Sequence, residues 1–115
     1  MKHHNVKRKL GREINQRRAL MKSLAVNLIR SEKIKTTEAK AKELRPFIEK
    51  LVTKAKQGGL AKRRIIISTI GNLSAKKLFE KIAPNYKDRN GGYTRITKMP
   101  RRKLDGSKIS IIEFV

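Results

Sequence analysis

Residues 33–59 read KIKTTEAKAKELRPFIEKLVTKAKQGG, and the fold turns on how this stretch is divided. Lys33–Thr36 is a short candidate strand lying between two helices. Thr37 follows as a good N-cap, and Glu38 sits in the first turn, where the helix dipole favours a negative charge. Ala41, Leu44, Ile48, Leu51 and Ala55 then recur at spacings of three, four, three and four, which places them on one helix face. Pro46 lies inside this pattern and removes a backbone hydrogen bond, so a bend is expected there. Gly58 and Gly59 supply the stop.

Towards the N-terminus, Glu13–Arg30 reads as a helix. Ile14, Met21, Ala25 and Leu28 share one face, Leu24 widens it, and Ala19, Ser23, Asn27 and Arg30 lie opposite. Arg17 projects beside the apolar stripe, placed either to reach a phosphate or to lay its stem on the core edge. Met1–Arg12 is a basic arm with Val6 and Leu10 as its aliphatic anchors after the first Met. It has too little apolar area to offset the entropy of ordering, so it is expected to take shape against a partner.

Towards the C-terminus, Leu60–Ile70 is ambiguous. Ile65, Ile66, Ile67, Thr69 and Ile70 are β-branched and favour strand. Leu60, Arg63, Arg64 and Ile67 fall at helical spacing between flanking glycines, and helix is the reading adopted. Ser74 can cap a further short helix with Leu78, Phe79 and Ile82 on one face, which Pro84 should end. The pattern then changes to period two. Tyr93–Lys98 and Lys108–Val115 read as strands, with a turn at Asp105-Gly106. The connection Met99–Ser107 is too long for a tight turn and carries Arg101, Arg102 and Lys103, so it reads as a basic loop projecting from a hairpin. No repeat and no internal boundary is visible, giving a basic arm at 1–12 and one α+β domain at 13–115.

Charge narrows the function. The 115 residues hold 31 Lys and Arg against 9 acids, a formal net charge of +22. A compact chain so charged repels itself, and a polyanion relieves the repulsion because each neutralised phosphate releases condensed counterions. A merely solvated basic surface is the bland alternative, but soluble domains ordinarily interleave the two signs. Cysteine is absent, which excludes thiol catalysis, disulfides and Cys-bound metals. No apolar run is long enough to span a bilayer, and no apolar segment follows the basic N-terminus as in a secretory signal. The protein is expected to stay in the compartment where it is made. An anionic membrane surface is a poor partner, because the charge is spread over the whole chain.

The segment Tyr86–Ile96 is the most distinctive. Gly91 and Gly92 permit close backbone approach to a ligand, and Arg89 and Arg95 can meet phosphates. Tyr86 and Tyr93 either stack on an unpaired base or ribose, or pack on the core of a loop entering a strand. His3 and His4 are the only histidines and have no companion ligands, so they read as polar contacts to RNA or solvent, and no metal or cofactor is expected. Gly106-Ser107-Lys108 lacks the spacing of a phosphate loop. Aromatic residues make up 4% of the chain, too few for a stacking sheet, so RNA shape and backbone are the expected targets. A DNA-binding regulator would need a base-reading helix, and none stands out. A nuclease would need clustered acids or histidines, whereas the acids are scattered singly.

Several stretches together resemble the bacterial-type family of large-subunit ribosomal protein seventeen, shared with mitochondrial ribosomes. They are Met1-Lys2-His3-His4, Gly11-Arg12 and Ile14-Asn15; Ile34-Lys35-Thr36-Thr37 leading into Lys40–Arg45; and Ala61-Lys62-Arg63-Arg64. Lys77-Leu78-Phe79, Ala83-Pro84, Asp88-Arg89, Gly91–Ile96, Lys98 and Ile111-Ile112-Glu113 complete the match. The chain departs from the family at Gln16-Arg17-Arg18, where relatives often carry Ser-Ser-His, and across the loop Pro100–Ser107. The resemblance implies an α+β fold, with helices on a small mixed sheet that joins the Ile34 strand to a C-terminal β-hairpin. It implies a structural constituent of the large ribosomal subunit in the cytoplasm, bound to large-subunit RNA near the peptide exit tunnel beside other ribosomal proteins, with no catalysis, membrane or small-molecule substrate. The expected RNA contacts in the arm are Lys2, His3, His4, Lys7, Arg8, Lys9 and Arg12. In the body they are Arg17, Arg18, Lys22, Lys35, Arg63, Arg64, Arg89, Tyr93, Arg95 and Lys98, with Arg101, Arg102 and Lys103 in the loop.

Overall fold

The structure, a computed structural model, describes residues 13–115. The expected arm, and with it Lys2, His3, His4, Lys7, Arg8, Lys9 and Arg12, lies outside the described residues. Helix α1 (Ile14–Ser31) leads through Glu32 into strand β1 (Lys33–Thr37). Helix α2 (Glu38–Gln57) follows directly, then α3 (Leu60–Ile70) and α4 (Asn72–Lys77). The helical path continues as a π turn (Leu78–Ile82) and a 3-10 turn (Ala83–Tyr86) before strands β2 (Thr94–Met99) and β3 (Ile109–Phe114).

The organising element is α2. The Thr37 hydroxyl accepts from the Lys40 N–H at 3.4 Å, and Glu38 occupies the first turn, as read from the sequence. Ala41, Leu44, Ile48, Leu51 and Ala55 are all buried, joined by Val52. The helix runs unbroken through Pro46, which lies on its exposed side. Helix α2 packs against α1, α3, all three strands and the two irregular turns.

The sheet has the order β1-β3-β2 and is antiparallel throughout, so the expected mixed pairing is corrected. A mixed sheet would need a parallel crossover, whereas β2 and β3 form a hairpin and β1 enters the opposite way beside β3. Ile34, Ile112 and Ile96 align across the three strands and face the helices. On the other face Glu113 lies between Lys33 and Arg95, at 4.0 and 3.0 Å. The charges on this face gather at the Glu113 end, while Ile111 and the buried Ile109 follow along the same side of β3.

Two readings of the helices need correction, at α1 and at α4, and one is borne out. Ile14 is 58% exposed and Met21 half-buried, so the core stripe of α1 is Ala25, Leu28 and Ile29. The first turns of α1 run past the buried core cluster, where the periodicity continues but Ile14 stays largely exposed. Leu60–Ile70 is the expected helix, with Ile66 and Ile70 buried and Leu60 63% exposed. Finally, α4 begins after Gly71, with Ser74 inside it, and Pro84 does not end the helical path. Pro84 has no N–H to donate and crowds the carbonyl four residues back, and here the α-helical pattern gives way before it, whereas α2 keeps its course through Pro46. The chain widens to a π turn before Pro84, with the Ala83 N–H reaching the Leu78 carbonyl, and then tightens.

Candidate nucleic-acid interface

The described cations fall into distinct places. The first is a groove between the N-terminal half of α1 and α2, closed at one side by Ser68 and Thr69 of α3. Its volume is about 1090 Å³. On α1 it is lined by Ile14, Arg17, Arg18, Met21 and Lys22, and on α2 by Lys42, Pro46, Phe47, Lys50, Leu51 and Lys54. Glu43 is the one carboxylate among the described lining residues. Three expected contacts, Arg17, Arg18 and Lys22, meet here. Their partners Lys42, Lys50 and Lys54 were not singled out from the sequence. The signal was present: Lys42, Pro46, Lys50 and Lys54 repeat every four residues, which is one helix face.

The second place is the outer face of the sheet. Lys35 is exposed on β1, and the Arg95 guanidinium on β2 is held by the Glu113 carboxylate through Nε at 3.3 Å and Nη2 at 3.0 Å. Lys98 belongs to the opposite face, level with Ser110, and its ammonium stands 3.9 Å from Glu38. That carboxylate also takes Lys42 at 3.3 Å. The hydrogen bond from Lys42, with the charges of Lys42, Lys98 and Lys108, holds Glu38 below the usual carboxylate range against a smaller opposing effect of burial.

The third is the hairpin loop at residues 100–108. It is built rather than slack. The Arg102 N–H donates to Ser107 O at 2.9 Å, and the Gly106 N–H to Arg102 O at 2.8 Å. The Ser107 N–H donates to an Asp105 carboxylate oxygen at 3.1 Å, which with the nearby Arg102 charge lowers the Asp105 pKa. Arg101 reaches Gly106 O at 3.2 Å, and Lys103 is exposed. The base of this loop is tied to the start of α2, where the Glu38 N–H donates to Lys108 O at 2.9 Å.

The glycine-rich loop before β2 sits at the other end of α2. Tyr93 is 1% exposed, so of the two readings of its ring the packed one holds, and base stacking on it is ruled out in this conformation. Its ring lies 5.2 Å from that of Tyr86, which is also buried. A ring so enclosed has no face left for a base. Its hydroxyl accepts from the Lys56 ammonium at 3.0 Å and lies 3.3 Å from the Thr53 hydroxyl, and these bonds lower the phenol pKa. The same hydroxyl donates to Arg89 O at 3.3 Å, and Lys56 also donates to that carbonyl. The loop is therefore pinned to α2 with the Arg89 side chain exposed, its guanidinium 3.1 Å from Gly92 O.

On α3, Arg63 lies over the Phe79 ring, 4.6 Å from its centroid, and Arg64 is exposed. Stacking holds one guanidinium face and leaves its edge open. Among the described residues no group of His, Cys, Asp and Glu is arranged to hold a metal, and no helix is long and apolar enough to cross a membrane.

Comparison with known proteins identifies the family. The family profile described as ribosomal protein L17 matches residues 20–115. A large ribosomal subunit protein bL17 of Rhodopseudomonas palustris (strain TIE-1) is 52% identical over 116 residues, covering 100% of this chain and 84% of that protein. One from Hydrogenobaculum sp. (strain Y04AAS1) is 51% identical over 117 residues, covering 100% and 99%. One from Caldanaerobacter subterraneus subsp. tengcongensis is 50% identical over 109 residues, covering 94% and 97%. By the profile match and by identity across its whole length, this chain belongs to the ribosomal protein L17 family, a family of structural ribosomal proteins and not of enzymes.

Proposed function

We propose that this protein is an RNA-binding scaffold of the large ribosomal subunit, joining separate rRNA segments through basic surfaces held at fixed distances. It works in the cytoplasmic ribosome beside other large-subunit proteins, and the family resemblance suggests a place near the outer end of the peptide exit tunnel.

The observation that carries the reading is the way α2 separates two basic loops. The Arg101–Lys103 hairpin is tied to its first residue through Lys108 and Glu38. The Arg89 loop is tied to its last turns through Thr53 and Lys56. At 1.5 Å per residue, positions 38 and 56 stand about 27 Å apart. A stiff helix with a cationic loop at each end bridges two phosphate backbones at a set separation. The +22 charge supplies the affinity, and the geometry supplies the register.

Binding of the full chain to large-subunit rRNA fragments, in competition with duplex DNA of equal length, tests this. The scaffold reading expects preference for the folded rRNA and footprints at two separated backbone segments. Equal affinity for duplex DNA, or one continuous footprint, would contradict it.

A further inference from the structure

The groove between α1 and α2 has a composition that backbone clamping alone does not require. Its rims are cationic, with Arg18 and Lys22 one helical turn apart on α1 and Lys50 and Lys54 one turn apart on α2. Its floor is apolar, formed by Met21, Phe47 and Leu51. Phe47 is only partly buried, and it packs against the core from below. A phosphate clamp needs the rims and not the floor.

We propose that this groove is a binding site for a single-stranded segment of RNA, with phosphates on the rim cations and an unpaired base laid on the Phe47–Met21 floor. The proposal rests on the RNA-binding reading above and adds to it the kind of RNA that is recognised and the place that recognises it.

Three features favour this occupant. Packed helices have axes roughly 8–10 Å apart, so the channel along their seam is far narrower than a duplex, which can only rest on the cationic rims, while one strand can lie along it. A strand with one charge per nucleotide neutralises cations on both walls, and the lining holds a single carboxylate, Glu43, among its described residues. An acidic peptide of ordinary composition would match them only in part. Pro46, which also lines the groove, supplies no N–H to the Lys42 carbonyl four residues before it. That oxygen lacks its helical donor, and a ribose 2′-hydroxyl is a donor suited to it. Base stacking on an aromatic ring tolerates any sequence, consistent with a low aromatic content used at one point.

The test uses the full chain and two probes, a uridine-rich single strand carrying 5-iodouridine and a fully paired RNA duplex of matched length. Irradiation of the single-strand complex should cross-link the peptide containing Phe47 or that containing Met21. Phe47→Leu keeps the apolar volume but loses the ring, and should weaken single-strand binding about tenfold with duplex binding nearly unchanged. Lys22→Glu and Lys50→Glu change exposed side chains and keep the test sound if Phe47→Leu disturbs folding; each should weaken the single strand more than the duplex. Cross-links confined to the hairpin loop or to residues 1–12 overturn the proposal, as do equal losses for both probes. Displacement of the single strand by polyglutamate at equal charge concentration would assign the groove to an acidic peptide and overturn it too. If the unaltered protein binds neither probe nor any rRNA fragment, the scaffold reading itself falls. Binding of rRNA without cross-links in the groove removes only this inference.

Discussion

Ser110 is the second residue of the central strand, fully buried, and its hydroxyl oxygen has no hydrogen-bond partner among the described residues. An unpaired buried hydroxyl costs desolvation without return. Ser110→Ala should therefore leave stability unchanged or raise it by up to about 1 kcal/mol, read as midpoint shifts in urea at constant slope. A marked loss would mean that the hydroxyl has a partner. Glu38 gives the opposite case. Its folded pKa is depressed below the ordinary value, first by the hydrogen bond from Lys42. A depressed carboxylate stabilises the fold at neutral pH, and that contribution disappears as pH falls through the folded pKa. Thermal melts should show a smaller drop on acidification for Glu38→Gln than for the unaltered protein; equal drops would remove Glu38 from the pH response. Single residues were also where the sequence was hardest to read. Tyr93 was equally suited to base stacking and to packing, and only the enclosure by Tyr86, Lys56 and Thr53 decides between them. Lys56 and Thr53 lie far away in the chain, so no local pattern could show them.

Helix α2 shows how far an element can be read from its own residues. Its cap, its acidic first turn and all five expected core positions are as the spacing indicates. The same kind of periodicity misplaced Ile14, because spacing defines a face but not where a core ends. At Leu60–Ile70, β-branched propensity argued for strand, and glycines at both ends with packing of Ile66 and Ile70 outweigh it. The stop after α2 is open to a direct check. Gly58 has φ 72° and ψ −168°, a region almost closed to other residues, and a methyl group there would meet no neighbouring atom. The cost of Gly58→Ala is therefore backbone strain alone, about 1–3 kcal/mol of stability, with the RNA affinity of the folded fraction unchanged. A neutral substitution would show that the α2–α3 junction relaxes freely. The groove was half legible: Arg17, Arg18 and Lys22 stood out as cations, whereas Lys42, Lys50 and Lys54 were hidden within a helix read only for its apolar face.

For the molecule as a whole, the charge was plain from composition, and the antiparallel closure of the sheet was not. Pairing of β1 with β3 joins residues more than seventy positions apart, which no local period encodes. The described body holds its cations in separate places on one shared core, and the proposed role of residues 1–12 is an added phosphate-binding arm. Removal of those residues should lower rRNA affinity and reduce the log–log salt slope by about 0.7–0.9 for each phosphate the arm would have neutralised, measured by filter binding over a salt series. An unchanged slope would leave the arm without a phosphate partner. The most direct test of the account is sedimentation of gently lysed bacterial cells through a sucrose gradient, with the tagged protein detected in each fraction. A working part of the ribosome must travel with large subunits and with whole ribosomes, and leave them only as salt is raised. Recovery of the protein entirely in the slow, ribosome-free fractions at low salt would contradict it.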